Sequence, residues 1–142
     1  MLNQHHDGKI DRLAAIPLFA NASRKALRHL AAAADEVTLA EGSKLITQGV
    51  RHHEAYIVEK GTVVVLVDGE QVAELGAGKM VGEMSLFVPG LAAASVIAGS
   101  ECELLVLPHN RFDQVLDDVP TLGLELAVEL ARRLKETNAH FH

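Results

Sequence analysis

The sequence predicts a mostly β domain with flanking helices. A small antiparallel β-barrel or jelly roll follows N-terminal helices and precedes two C-terminal helices. Three observations carry this prediction. Apolar residues keep a helical period as far as Ala34 and resume it after Pro108. Between those limits they fall into short alternating or continuous runs of strand length. Glycines at 42, 49, 61, 69, 76 and 78 separate the runs, as turns separate the strands of a small all-β fold. The 142 residues suit one domain, with helices at about 10–34, the β region at about 36–107 and helices at about 109–137. At this length roughly two-thirds of the unfolded surface can be buried, so a core forms without covalent staples.

Ile10, Leu13, Ala14 and Ile16, then Phe19 beyond Pro17, predict a short helix that breaks and resumes. Asn21 or Ser23 caps a second helix, whose apolar face is Leu27, Leu30, Ala31 and Ala34. After Asp35 the period changes. Val37 and Leu39 alternate with Thr38 and Ala40, and Gly42 and Gly49 bracket Lys44-Leu45-Ile46. Tyr56-Ile57-Val58 reads as a strand ending near Gly61. The runs 63–67 and 71–75 flank Asp68-Gly69-Glu70, and Asp-Gly at such a junction marks a tight hairpin. Val96-Ile97-Ala98 and Leu104-Leu105-Val106-Leu107 are two further strands. Beyond Pro108, Asn110 and Asp113 have the spacing of a capping box, and Phe112, Val115 and Leu116 form a buried face. Pro120 turns Val119 away from helical angles and then occupies the first turn of the last helix. Leu122, Leu126, Leu130 and Leu134 give that helix a four-residue apolar repeat. Arg132, Arg133 and Lys135 lie near its C-terminal end, where the helix dipole favours cations.

Composition excludes several classes of function. Lys and Arg total 13 against 19 Asp and Glu, for a formal charge of −6. Such a chain, with no basic run, is a poor ligand for nucleic acid or an anionic membrane. An aromatic share of 4% with no Trp leaves little to stack bases or glycans on. Cys102 is the only cysteine, so no internal disulfide or multi-cysteine metal site exists. It adjoins the run 104–107 and is expected to be a buried structural thiol. The polar start of the chain lacks the apolar region of a secretion signal, and no apolar stretch reaches membrane-spanning length. A cytoplasmic location is expected.

The most specific local signal is Val81-Gly82-Glu83-Met84-Ser85-Leu86, followed by Ala92-Ala93-Ala94-Ser95-Val96. It resembles the phosphate-binding cassette of cyclic nucleotide-binding domains. That cassette reads Gly-Glu-x-Ser/Ala-Leu, a short loop, then Arg-Ser/Thr-Ala-Ser/Thr-Val. The likeness runs from about Ile16 to Leu134 and includes Leu18-Phe19-Ala20, Gln48-Gly49, Tyr56-Ile57-Val58 with Gly61, Gly78, and Pro120. Catabolite-activator-type regulators are similar over the same span. The resemblance implies a non-enzymatic regulatory or sensor module with cyclic AMP or cyclic GMP as its ligand.

By motif position, backbone N–H groups from Gly82, Glu83, Met84 and Ser85 would cradle the phosphate. Glu83 would accept a hydrogen bond from the ribose 2′-hydroxyl, and the Ala94 amide would complete the site beside Ala92 and Ala93. The family's arginine falls on Ala92, and no Lys or Arg occurs from Met80 to Asn110. That arginine forms a charged, bidentate phosphate contact. Its loss costs roughly 2–5 kcal/mol, on the order of 30-fold to several-thousandfold in affinity. Weak, altered or lost cyclic nucleotide binding is therefore expected. Lys79, Arg51 and Arg111 are the nearest basic residues that could replace it.

Two other readings stand beside this one. A degenerate domain would keep the fold for interaction or dimerisation and take no nucleotide. A metal-dependent cupin would use His52-His53-Glu54, but adjacent histidines point to opposite faces of a strand, and here a loop is expected. No metal and no resident cofactor are expected. The expected partners are a cyclic nucleotide or related small molecule, an effector protein, and a second copy of the chain through the C-terminal helix. Nucleic acid and membrane are not expected of an acidic chain with no basic run.

Overall fold

Strands and helices form where the hydrophobic period changes. The computed structural model describes residues 2–140, with side chains for residues 8–137. Helix α1 (Leu2–Ala14) leads to a 3-10 turn at Pro17–Phe19 and to α2 (Arg24–Ala33). Ten strands follow: β1 (Asp35–Leu39), β2 (Lys44–Ile46), β3 (Arg51–His52), β4 (Glu54–Lys60), β5 (Val63–Val67), β6 (Glu70–Leu75), β7 (Met80–Val81), β8 (Gly90–Leu91), β9 (Ser95–Ala98) and β10 (Cys102–Pro108). The short helix α3 (Met84–Phe87) interrupts them between β7 and β8. Helices α4 (His109–Asp118) and α5 (Pro120–His140) end the chain. Two compact units result, one of helices up to Ala32 and from Gln114 on, the other comprising Ala33–Asp113.

In the β unit the strands form two four-stranded sheets, ordered β1-β10-β4-β7 and β2-β9-β5-β6, plus the β3-β8 pair. Of the predicted architectures, this is the jelly roll: every pairing is antiparallel, and the strands lie in separate sheets. Ile46, Val63, Val96 and Ala98 of one sheet join Tyr56, Val58, Val81, Cys102, Leu104 and Val106 of the other in one apolar cluster. Burial there pushes the Cys102 thiol up, so it stays protonated and unreactive. The predicted hairpin is β5–β6, with Asp68 at φ 52° and Gly69 at φ 82°. Two consecutive positive-φ residues give the turn whose twist matches the strands.

In the helical unit, Ser23 supplies the α2 cap, its Oγ accepting from the Ala26 amide at 3.1 Å. Asn21 instead donates to Glu129 Oε2 at 3.4 Å. Pro120 starts α5 as predicted, and Leu122 and Leu126 are buried. The leucine repeat does not form one face, however. Each four-residue step advances about 40° around an α-helix, so the row drifts off the buried side. Leu130 is half-buried and Leu134 is 62% exposed. Glu129 occupies the buried face instead, paired with Arg132 at 2.6 Å and Arg133 at 3.5 Å. The Arg132 hydrogen bond holds its carboxyl below the usual value against the opposing effect of burial.

The predicted capping box also needs correction. Helix α4 starts at His109, one residue before Asn110. Asn110 Oδ1 accepts from the Arg111 amide at 2.9 Å, and Asp113 faces His109 Nε2 at 3.2 Å. Among the described residues no helix is long and apolar enough to cross a membrane.

Candidate functional site

Strand β7 ends at Gly82, where the chain takes φ +73°. A Cβ there would stand 2.8 Å from the Glu54 carbonyl oxygen and 3.1 Å from His52 Nε2. Only glycine permits both that dihedral and that approach to the backbone. The turn then tightens into α3: Ser85 N donates to Gly82 O at 3.0 Å and Leu86 N to Glu83 O at 3.1 Å. Leu86 is fully buried and anchors the turn. Beyond Pro89, β8 pairs with β3, matching Arg51 to Leu91 and His52 to Gly90. Ala92 is held at both ends, its N–H donating to Val50 O at 3.0 Å and its carbonyl accepting from Gly49 N at 2.8 Å. Ser95 Oγ accepts from Gln48 N at 2.9 Å where β9 begins. The Gln48-Gly49 pair of the sequence thus fastens the far side of the same loop.

These segments enclose a cavity of about 370 Å³. Gly82, Glu83, Met84, Ser85, Ala92, Ala93 and Ala94, the residues singled out in the sequence, all line it. Ala92 also packs against the apolar cluster of the sheets. Sequence reasoning missed Ile46, His52, Val65 and Leu91, which line it too. Their signal is long-range: His52 arrives through the two-residue β3–β8 pairing, which has no sequence period of its own.

The wall of the cavity is largely apolar, and Glu83 is its one charged side chain among the described residues. Among the described residues no lysine or arginine lines it. Arg51 lines a separate cleft of about 410 Å³ with His53, Glu54 and His109. Arg111 donates to Asp35 Oδ2 at 2.7 Å and to Ala33 O at 3.3 Å. Lys79 is absent from the cavity wall. None of the three is among the residues that line the cavity.

His52 stacks on Tyr56, with ring centroids 5.7 Å apart and planes 20° from parallel. Its Nε2 is shielded from solvent and makes no hydrogen bond. Burial lowers the imidazole pKa, against the opposing pull of Glu54, and favours the neutral ring. The Tyr56 hydroxyl lies 3.1 Å from Glu54 Oε1 and 3.2 Å from Leu45 O. Burial and the neighbouring Glu54 carboxylate push that phenol up, so it remains protonated. His52, expected in a loop, instead belongs to β3, and it and His53 line different cavities. Among the described residues no group of three or more His, Cys, Asp or Glu could hold a metal ion.

One further histidine connects elements. His109 Nδ1–H donates to Leu86 O at 2.6 Å, joining α3 to the start of α4. Phe87 and Phe112 meet edge-to-face beside it, centroids 5.4 Å apart.

A protein-family model described as "Cyclic nucleotide-binding domain" matches residues 36–119. The cAMP-dependent protein kinase regulatory subunit of Yarrowia lipolytica is 36% identical over 101 residues, 71% of this chain and 27% of its own. The cAMP-activated global transcriptional regulator CRP of Escherichia coli is 33% identical over 102 residues, 68% of this chain and 49% of its own. The chain thus spans about a quarter of the one relative and half of the other. Among solved structures, the N-terminal domain of a transcriptional regulator from Streptomyces coelicolor superposes with a TM-score of 0.85. It is 34% identical, with 93% of this chain and 96% of that one covered.

Proposed function

The chain belongs to the cyclic nucleotide-binding domain family, and from that premise we propose a non-enzymatic regulatory module whose binding of cyclic AMP and cyclic GMP is weakened, altered or lost. The observation that supports this reading is the cavity wall, to which Ala92 contributes and in which no lysine or arginine stands among the described residues. Calorimetric titration of the chain with both cyclic nucleotides tests it. Dissociation constants in the millimolar range or no heat are expected, and a micromolar constant for either overturns the reading. Ala92→Arg adds the missing cation and gains at least roughly tenfold in affinity, about 1.4 kcal/mol. A titration of that variant without gain means the cradle no longer accepts a phosphate.

As a regulatory module, the domain acts by population shift: a ligand that contacts α3 differently in two states biases α4, to which α3 is tied. The His109–Leu86 bond and the Phe87–Phe112 contact support that route. An effector protein then reads the state of the C-terminal helices, in the cytoplasm and without contact to nucleic acid or membrane. The second reading, an interaction or dimerisation domain without nucleotide, is favoured by exposed Leu124, Val128 and Leu134 on α5.

A further inference from the structure

We infer that His109 is a proton-dependent clasp between α3 and α4, closed when both ring nitrogens carry hydrogen and loosened when only one does. Both nitrogens are engaged at once. Nδ1 lies 2.6 Å from the Leu86 carbonyl oxygen of α3, and Nε2 lies 3.2 Å from Asp113 Oδ2, one turn along α4. A carbonyl oxygen and an ionised carboxylate only accept, so the two contacts together require a hydrogen on each nitrogen. The imidazolium has both. The neutral ring satisfies one partner and turns a lone pair towards the other. The Leu86 contact is the shorter, so Nδ1 keeps its hydrogen and Nε2 gives one up, setting a lone pair against the Asp113 carboxylate. An unperturbed histidine changes charge between about pH 5 and 8. Packing fixes both ends of the clasp: the His109 amide donates to His53 O at 2.8 Å, and Leu86 is fully buried.

The groups around the ring divide in sign. Arg51 lines the same cleft, and it and the N-terminal dipole of α4 oppose a positive charge. Glu54 on the cleft wall favours one, as Asp113 does by direct contact. His53 is the other ring of the cleft that can take up a proton. Residues 84–87 of α3 bring no charge, and Arg111 is turned to Asp35. Met84 and Ser85 of α3 line the cassette cavity, so the proton sets how firmly one wall of that cavity is held to α4. This consequence rests on the reading of the cavity as a ligand site, whereas the clasp itself does not.

Amide exchange of the whole chain without ligand, expressed as protection factors at about pH 5.5 and about pH 8, tests the clasp. Both contacts hold on the acid side, and one is lost as the second hydrogen leaves. Protection of the Val88 amide, which closes α3 on Met84 O at 2.9 Å, should therefore fall as pH rises. A fall of about threefold is expected for one partly exposed charge pair. Asp113→Asn should abolish that fall, because its side-chain amide donates to a neutral Nε2 and accepts from a protonated one. Asp113 is 56% exposed, so the variant should keep its fold. His109→Gln provides a second check: it donates to Leu86 O, has no proton to lose, and should also give a flat profile. A native chain with equal protection at both pH values overturns the inference. An equal fall in Asp113→Asn or in His109→Gln does so too, since His53 or a carboxylate would then carry the effect. These measurements use no nucleotide, so their failure leaves the proposed function standing. Micromolar binding of cyclic AMP would in turn leave the clasp standing.

Discussion

Gly82 shows how one residue can serve fold and site together. Its φ of +73° and the 2.8 Å gap from a built Cβ to the Glu54 carbonyl oxygen are separate constraints. Gly78 offers a way to divide them, because it has φ +87° with nothing within 4 Å of its Cβ position. Gly78→Ala should lose only the conformational part, about 1–2 kcal/mol. Gly82→Ala should lose that same part plus the cost of displacing β4 or His52, roughly a further 1–3 kcal/mol. Denaturant midpoints of the two variants measure the difference, and equal losses would mean that the contact relaxes without cost. The glycine was legible in the sequence as part of a motif. Its reason was not, because the atoms that crowd it come from residues 52 and 54, some thirty positions earlier.

Among the elements, those set by local chemistry were readable and those set by distant pairing were not. The β5–β6 hairpin follows from Asp68-Gly69, and α2 from its Ser23 cap, because both depend on neighbouring residues. Strands β3 and β8 have two residues each, too few for any period, and exist only through each other. The start of α4 was misread for a related reason: Asn110 and Asp113 have capping spacing, but the His109 amide is held by His53 O at 2.8 Å, which starts the helix earlier. That anchored histidine makes a prediction about α3. Removing its side chain leaves the Leu86 carbonyl without the 2.6 Å bond that ties it to α4. His109→Ala should therefore lower stability by about 1 kcal/mol. It should also weaken signalling between the elements. In the Ala92→Arg background, saturating cyclic AMP should alter amide exchange in α4 when His109 is present and alter it less in the double variant. Identical ligand responses would remove His109 from the route and leave Phe87–Phe112 to carry it.

At the scale of the whole molecule the question is whether one chain is the working unit, and the far side of α5 bears on it. The leucine spacing that drew attention in the sequence splits between two sides of the helix, with Leu122 and Leu126 buried and Leu134 exposed. The exposed side has its own pattern. Leu124, Ala127, Ala131 and Leu134 recur at alternating steps of four and three and are all exposed, with Val128 beside them. That is the seam spacing of a two-stranded coiled coil, and its small central residues allow two backbones a close approach. Glu125, Glu129, Arg132 and Glu136 lie off the seam, with the arginine satisfied within its own helix at 2.6 Å and 2.8 Å. Charge therefore does not oppose a second copy at the seam. The expected state is a homodimer through α5, whose dissociation makes apparent stability rise with protein concentration. Sedimentation equilibrium should show the dimer for the native chain and a monomer for Leu124→Glu combined with Leu134→Glu. Both positions are solvent-facing within the chain, so the double variant should keep its fold by circular dichroism. A native chain that stays monomeric across the micromolar range would exclude the dimer, and would leave that stripe to an effector.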